Sequence, residues 1–491
     1  MMNSPILDYI LIEGGRKMKG KLFVVFCAVI FGLCSLGYSQ TVTAGGGGTF
    51  PTLSTAITSF RTGGSNALDP APNVINCLDA SYDELFPLID VQLTINGKSG
   101  RSTLLGQNIA TANDGFNLNV PAGEQVILND LIFLPSTMDT PTDDMIDLNG
   151  GTGSKVIFNN CIISSNWSGA PASLDGFTVP GAAPSARVGD NGVNISNAAA
   201  EVNIDLNETV IVAASGPNTA GTPDNILLTG AAKNVLTINE GSVISFGGYR
   251  NIQHNNIDDL FIRGSASKPV YLINAEGVNY VSYTSTGILD IDHCIIANTT
   301  VGSNGANYCA GLWLADAPDL PTIVTNSLII NNLGPGLFLG NFNSTLVVKN
   351  VTISGNAGGT GTQDVAQVWA GTLGVSADIS ISDTIIAGGK PGILMTAGTI
   401  DLSYSALVLE GPQTLSIGVD GTGTVVETQV ITKDPMFHET ADLSSSDLFD
   451  VHNPFYGGKG SEGSNLSGGA DYIGDYVPPV PLAAQNWFLY Q

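Results

Sequence analysis

The densest collection of chemically capable side chains lies in GGYRNIQHNNIDDLFIRG (247–264), which holds Arg250, His254, Asp258, Asp259 and Arg263. Bases are scarce elsewhere: 17 Lys and Arg stand against 43 Asp and Glu, with 4 His, in 491 residues. Carboxylates beside guanidinium groups suit a sugar acid, and an imidazole titrating near neutral pH suits a general base. The same residues also read as bend formers, because Asn255-Asn256 and Asp258-Asp259 are ordinary turn pairs. That second reading carries more weight. Asp290, Asp292 and His293 make another polar patch, but they fall between two strands and read as a turn. Asp143, Asp144 and Asp147 leave calcium open without supplying a matching ligand set. No spacing resembles a zinc site, and no cofactor is implied.

A different chemistry comes from aromatic residues. Short segments from MIDLNG (145–150), through NIQHNN (251–256), PVYLINA (269–275), GLWLAD (311–316), GLFLGN (336–341) and AQVWAG (366–371), to GILMTA (392–397) show period-2 alternation. Residues between apolar neighbours then face outward. The outward positions include Asp147, Gln253, Tyr271, Trp313, Phe338, Gln367, Trp369 and Leu394. Asp147 is the one carboxylate among the outward positions, and no Arg or Lys joins it. Tyr271, Trp313, Phe338 and Trp369 come from consecutive or nearly consecutive segments, ~4.8 Å apart if those segments stack. Flat aromatic faces suit the C–H faces of sugar rings, so the strip predicts polysaccharide binding. Burial under the loops 298–310 or 355–364 is the competing expectation.

The elements that position these residues repeat. KVIFNNCIISSN (155–166), VNIDLNETVIVA (202–213), LTINEGSVISFG (236–247), LDIDHCIIANTT (289–300), TIVTNSLIINNL (322–333), LVVKNVTISGNA (346–357) and DISISDTIIAGG (378–389) share one pattern: a strand, a few polar residues, a second strand. Ile163, Ile211, Ile244, Ile296, Ile330, Ile353 and Ile386 take the same place in each, at intervals of 48, 33, 52, 34, 23 and 33 residues. One supersecondary unit recurring with variable insertions marks a solenoid, in which each unit buries its apolar side chains against its neighbours. The expected fold is all-β: a right-handed parallel β-helix of three parallel sheets and about a dozen coils, with the isoleucines as an internal ladder. Composition agrees, with 43 % hydrophobic residues, 60 glycines and only 12 % charged residues, about half the usual charged share.

At the N-terminal side, TFPTLSTAITSF (49–60) places Leu53, Ala56, Ile57 and Phe60 on one helical face, and Pro51 suits a helix start. A helix there answers the need to cover the open end of a solenoid. The segment 91–106 reads as the first coil. Before it, Lys19 and Lys21 precede the 15-residue apolar run Leu22–Leu36, and Gly37-Tyr38-Ser39 offers a cleavage site near Gln40. Residues 1–39 therefore read as a signal peptide with its true start at Met18, too short for a membrane span. Beyond it, 13 Lys and Arg against 41 Asp and Glu give a net charge of −28, which repels nucleic acid. Of Cys77, Cys161, Cys294 and Cys309, Cys161 and Cys294 point into the core, and a Cys294–Cys309 disulfide is left open.

The opening GGGGTFPTLSTAI, the early LTINGKSGRSTLLG and the Asn-rich strand pairs resemble right-handed parallel β-helix repeat proteins of secreted bacterial origin, in the pectin-lyase-like superfamily. DPMF (434–437), DLFD (447–450), NPFYGGKGS (453–461) and GGADYIGDY (468–476) resemble the closing segment of such proteins, with Asn453 in place of the usual Ser. The resemblance implies a β-helix over 40–433, a closing segment over 434–476 and a tail over 477–491. It does not fix an activity, because the superfamily holds lyases, hydrolases, esterases and non-catalytic proteins. Its lyases use Arg or Lys with carboxylate-bound calcium, its hydrolases clustered Asp, and its esterases two Asp with Arg. The outward positions offer none of these sets. The expectation is an exported, monomeric, non-catalytic protein of the cell surface or medium, with a polysaccharide or cell-surface glycan as partner. A polysaccharide lyase or glycoside hydrolase is the alternative, and a structural envelope or matrix protein a further one.

Overall fold

The structure, a computed structural model, describes residues 40–430 apart from loop stretches, the longest being 65–72, 107–115, 134–145, 165–172, 179–194, 213–225, 300–309, 358–365 and 410–416. The signal segment, the closing segment and the tail lie outside the described residues, as do Arg250, Asp143, Asp144 and Cys309. The chain is a parallel β-helix. One side is a 14-stranded sheet, running from Thr41–Ala44 to Thr424–Thr428. A second side is a 12-stranded sheet, from Ser81–Asp83 to Ala406–Leu409. The third side is divided into pieces of three, two and six strands. Every pairing within these sheets is parallel; the described antiparallel pair is the small ribbon Ser173–Leu174 with Phe177–Thr178.

The first and second sheets meet at a tight bend. In coil after coil one residue takes the left-handed conformation there: Asp130, Asn160, Glu208, Gly241, His293, Asn326, Asn350, Asp383 and Tyr404, with φ between 46° and 71°. Asn, Asp and Gly tolerate that region best, which accounts for the polar residues between the strand pairs. The third residue after each left-handed position enters the core. The resulting column runs Tyr82, Leu105, Phe133, Ile163, Ile211, Ile244, Leu272, Ile296, Ile329, Ile353, Ile386 and Leu407. Its members are at most 5 % exposed, and burying a large aliphatic side chain contributes ~1.5–3 kcal/mol.

Two corrections follow. The column passes through Ile329 and not Ile330, because Asn326 makes the bend and its third successor is Ile329. The 52-residue interval from Ile244 to Ile296 also hides a whole coil, whose ladder residue is Leu272. There Pro269 occupies the place of the left-handed residue, and its ring fixes φ near −65°. The bend is replaced by a wider loop in which Ser265 and Lys268 exchange backbone hydrogen bonds of 3.1 Å in both directions.

Two polar ladders run beside the bend. At the ends of the first-sheet strands, Asn96, Asn129, Asn159, Asn207 and Asn239 each donate a side-chain amide hydrogen to the carbonyl of the asparagine one coil earlier, beginning at Asn76, over 2.6–2.8 Å. Inside the bend, buried hydroxyls link coils: Ser327 accepts from the Cys294 amide at 3.0 Å and Ser405 from the Thr384 amide at 3.2 Å. A buried hydroxyl or amide without such a partner would cost ~1–3 kcal/mol.

The helix Leu53–Phe60 forms as expected, with Thr52 and Thr55 in a reciprocal capping arrangement and Leu53, Ala56, Ile57 and Phe60 in the core. Glu84 adds a second cap, accepting from the Leu53 and Ser54 amides at 2.8 and 3.2 Å. The sheet begins before the segment 91–106, since Thr41–Ala44 and Asn73–Cys77 already pair in it. Cys161 and Cys294 are core residues, and Cys77 and Cys294 are free thiols.

Candidate functional site

Three strands of the six-stranded piece, Leu312–Ala315, Leu337–Gly340 and Val368–Thr372, place Trp313, Phe338 and Trp369 in one register row. Their neighbours on either side along each strand, such as Leu312 and Leu314, belong to the main core. Alternation therefore puts the three rings on the outer side of the sheet, where they form a cluster of their own with Ala310. The Trp313 and Phe338 ring centroids are 4.5 Å apart with planes at 62°, and those of Phe338 and Trp369 are 4.6 Å apart at 48°. Trp313 and Phe338 are each 8 % exposed, and Trp369 is half-buried. The row continues to Asn279 in one direction and to Leu394 and Gly418 in the other. Gly340 and Gly371 lie two residues beyond Phe338 and Trp369, on the same side of the sheet.

The sequence pattern found three of these four aromatics in place. Tyr271 does not join them. Its strand, Val270–Ile273, belongs to the 12-stranded sheet, where Tyr271 stands in register with Val243 and Ile295 and is 8 % exposed. The third-side strand of that coil is Val278–Val281. Gln367 turns inward just before the third-side strand Val368–Thr372, where its side-chain oxygen accepts from the Asn356 amide and side chain, both at 3.0 Å. Gly371 was missed, although the alternation that located Trp369 reaches it one step later.

The described basic and acidic residues of 247–264 are divided between two sheets. His254 lies in Ile252–His254, a third-side strand in register with Ile226–Leu228. Asp258, Asp259 and Arg263 lie in Ile257–Arg263, on the 14-stranded sheet. The Asp259 carboxylate accepts from the Ile288 amide at 2.9 Å. Arg263 spreads over the Phe261 ring, 4.1 Å from its centroid, and pairs with Asp290 at 3.0 Å.

His293 makes the left-handed bend, but Asp290 and Asp292 lie in the strand Leu289–Asp292 before it, so the turn reading holds for His293 alone. Burial alone would raise the Asp292 pKa. The His293 ring nitrogen 3.0 Å away, with hydrogen bonds from Asn326 and Thr325, both at 2.8 Å, more than offsets this and holds it at about 2. Among the described residues no group of His, Cys, Asp or Glu is arranged to hold a metal ion. Among them, too, no helix is long and apolar enough to cross a membrane.

No family model, curated protein or solved structure matches this chain.

Proposed function

We propose that the protein is an exported, non-catalytic β-helix protein that binds a polysaccharide or other cell-surface glycan through its aromatic row. The observation that carries the reading is the outward register of Trp313, Phe338 and Trp369 on successive coils, apart from the core. Trp369, the half-buried ring of the row, held on a rigid sheet and backed by Phe338, offers the apolar face that a sugar's C–H surface needs, at little cost in side-chain ordering. Export is supported by the Lys19 and Lys21 pair ahead of the apolar run Leu22–Leu36. The strong negative charge disfavours nucleic acid as a partner.

A polysaccharide lyase or hydrolase acting through 247–264 is the weaker reading. Arg263 and Asp259 already serve partners within the fold, and His254 belongs to another sheet. The decisive experiment is glycan-array binding by the purified protein, beside incubation with uronate and neutral glycans with and without calcium. Binding without unsaturated products or new reducing ends supports the proposal. Turnover moves the function to the enzyme class, and neither binding nor turnover leaves a structural role.

A further inference from the structure

We infer that the site grips one ring of a neutral glycan at Trp369, with the glycan running across the coils and not along the solenoid axis. This rests on the glycan-binding reading above and narrows it.

Stacking a sugar requires an open aromatic face. Along the axis such faces are missing. Trp313 and Phe338 are 8 % exposed and packed on each other and on Trp369, with centroids 4.5 and 4.6 Å apart. On the other side of Trp369 the row continues as Leu394 and Gly418, neither of them aromatic. Trp369, half-buried, is thus the most open ring of the row. A chain laid along the axis meets one stacking position and then loses it.

Across the coils the surface is different. Beyond Trp369 the strand continues as Gly371 and the exposed Thr372, beside Gly340 of the preceding coil and exposed Asn341. A Cβ built on Gly371 would find only ordinary contacts, the Leu339 carbonyl oxygen at 3.5 Å and Gly340 Cα at 3.9 Å. Gly371 therefore leaves an open shelf next to the indole, with the exposed Thr372 hydroxyl at its edge. A glycan running along the strand direction keeps one ring on Trp369 and lays its neighbour on the shelf.

The charge class follows from the same residues. Trp313, Phe338, Gly340, Trp369, Gly371, Leu394 and Thr396 carry no charge, and the whole chain has a net charge of −26. Those residues bring no cation of their own to offset that field, so a uronate is repelled and a neutral sugar is not.

The test is calorimetric titration with cello- and malto-oligosaccharides from disaccharide to hexasaccharide, and with oligogalacturonate of matched length. Affinity for a neutral series should level off by the trisaccharide, and oligogalacturonate should bind at least tenfold more weakly. Trp369→Ala should weaken the neutral series about tenfold. Gly371→Val, which fills the shelf, should weaken it while leaving the thermal transition within a few degrees of wild type. Affinity that climbs with every added unit, equal binding of the uronate, or full binding by both variants overturns the inference and leaves glycan recognition elsewhere on the chain. A wild-type protein that binds nothing on a broad array instead removes the parent proposal.

Discussion

Arg263 stands in register with Asn239, one coil past the last asparagine of the ladder, and reaches sideways to Asp290 instead of back to Asn239. The ladder stops there, in the coil where Pro269 displaces the left-handed bend and the pairing of the first sheet shifts register between Asn234 and Val235. Three irregularities thus fall within two neighbouring coils. In a solenoid whose stability is a sum of nearest-neighbour interfaces, such a place is where the stack parts first.

Replacing Arg263 by Asn should extend the ladder by one amide bond and raise stability by up to ~1 kcal/mol. Arg263→Ala should change it by less than that, because the ion pair it loses is largely exposed. Urea unfolding of the three proteins tests this. A strongly destabilised Arg263→Ala would show that the guanidinium holds the two coils together.

Asn159 both donates to Asn129 at 2.8 Å and accepts from Asn207 at 2.7 Å. Asn159→Ala should cost ~1–3 kcal/mol, since it strands a donor on one side and an acceptor on the other. A loss below the resolution of denaturant unfolding would mean that water replaces both bonds.

Ile353 sits between Ile329 and Ile386 in the core column and is fully buried. Truncation to Ala leaves a cavity between coils that the stacked sheets have little freedom to close, so ~2–5 kcal/mol should be lost. Calorimetry reads this as a lower transition temperature. A transition unchanged from wild type would place the side chain outside the column.

Asp292 ties its stability contribution to acid pH. Its folded pKa of about 2 lies below the ordinary value of 3.8, so the contribution is complete above about pH 4 and fades as the pH falls towards 2. Asp292→Asn should flatten that part of the stability profile measured by acid titration. An unaltered profile would assign the acid loss to other carboxylates.

The buried thiols should be silent. Burial pushes Cys77 up to about 12 and Cys294 higher still, so neither forms a thiolate near neutral pH. Peptide mapping after treatment of the native protein with a maleimide should find Cys77, Cys161 and Cys294 unlabelled, and labelled once the protein is unfolded. Rapid native labelling of Cys294 would indicate that its coil opens.

Much of the fold was legible because the bend imposes a fixed offset. Aligning on isoleucines found the column but misplaced Ile330. Aligning on the left-handed residue corrects it, since Asn326 fixes Ile329. The Leu272 coil was hidden because Pro269 removes the turn residue that would have announced it, and Tyr271 was then given to the wrong sheet. The aromatic row was legible from alternation alone. Its degree of burial was not, because period-2 patterns say which way a ring points and nothing about how closely other chain packs over it.

Between adjacent coils that both keep it, the left-handed bend recurs after as few as 21 residues, from Asp383 to Tyr404, and as many as 48, from Asn160 to Glu208. Yet the offset from bend to core residue never changes. Extra sequence is therefore absorbed at the opposite margin, where the third side and its loops lie. Diversification among descendants of this gene can rewrite the surroundings of Trp369 freely while the asparagine spine stays put. The loop margin and the scaffold can evolve at different speeds within one chain.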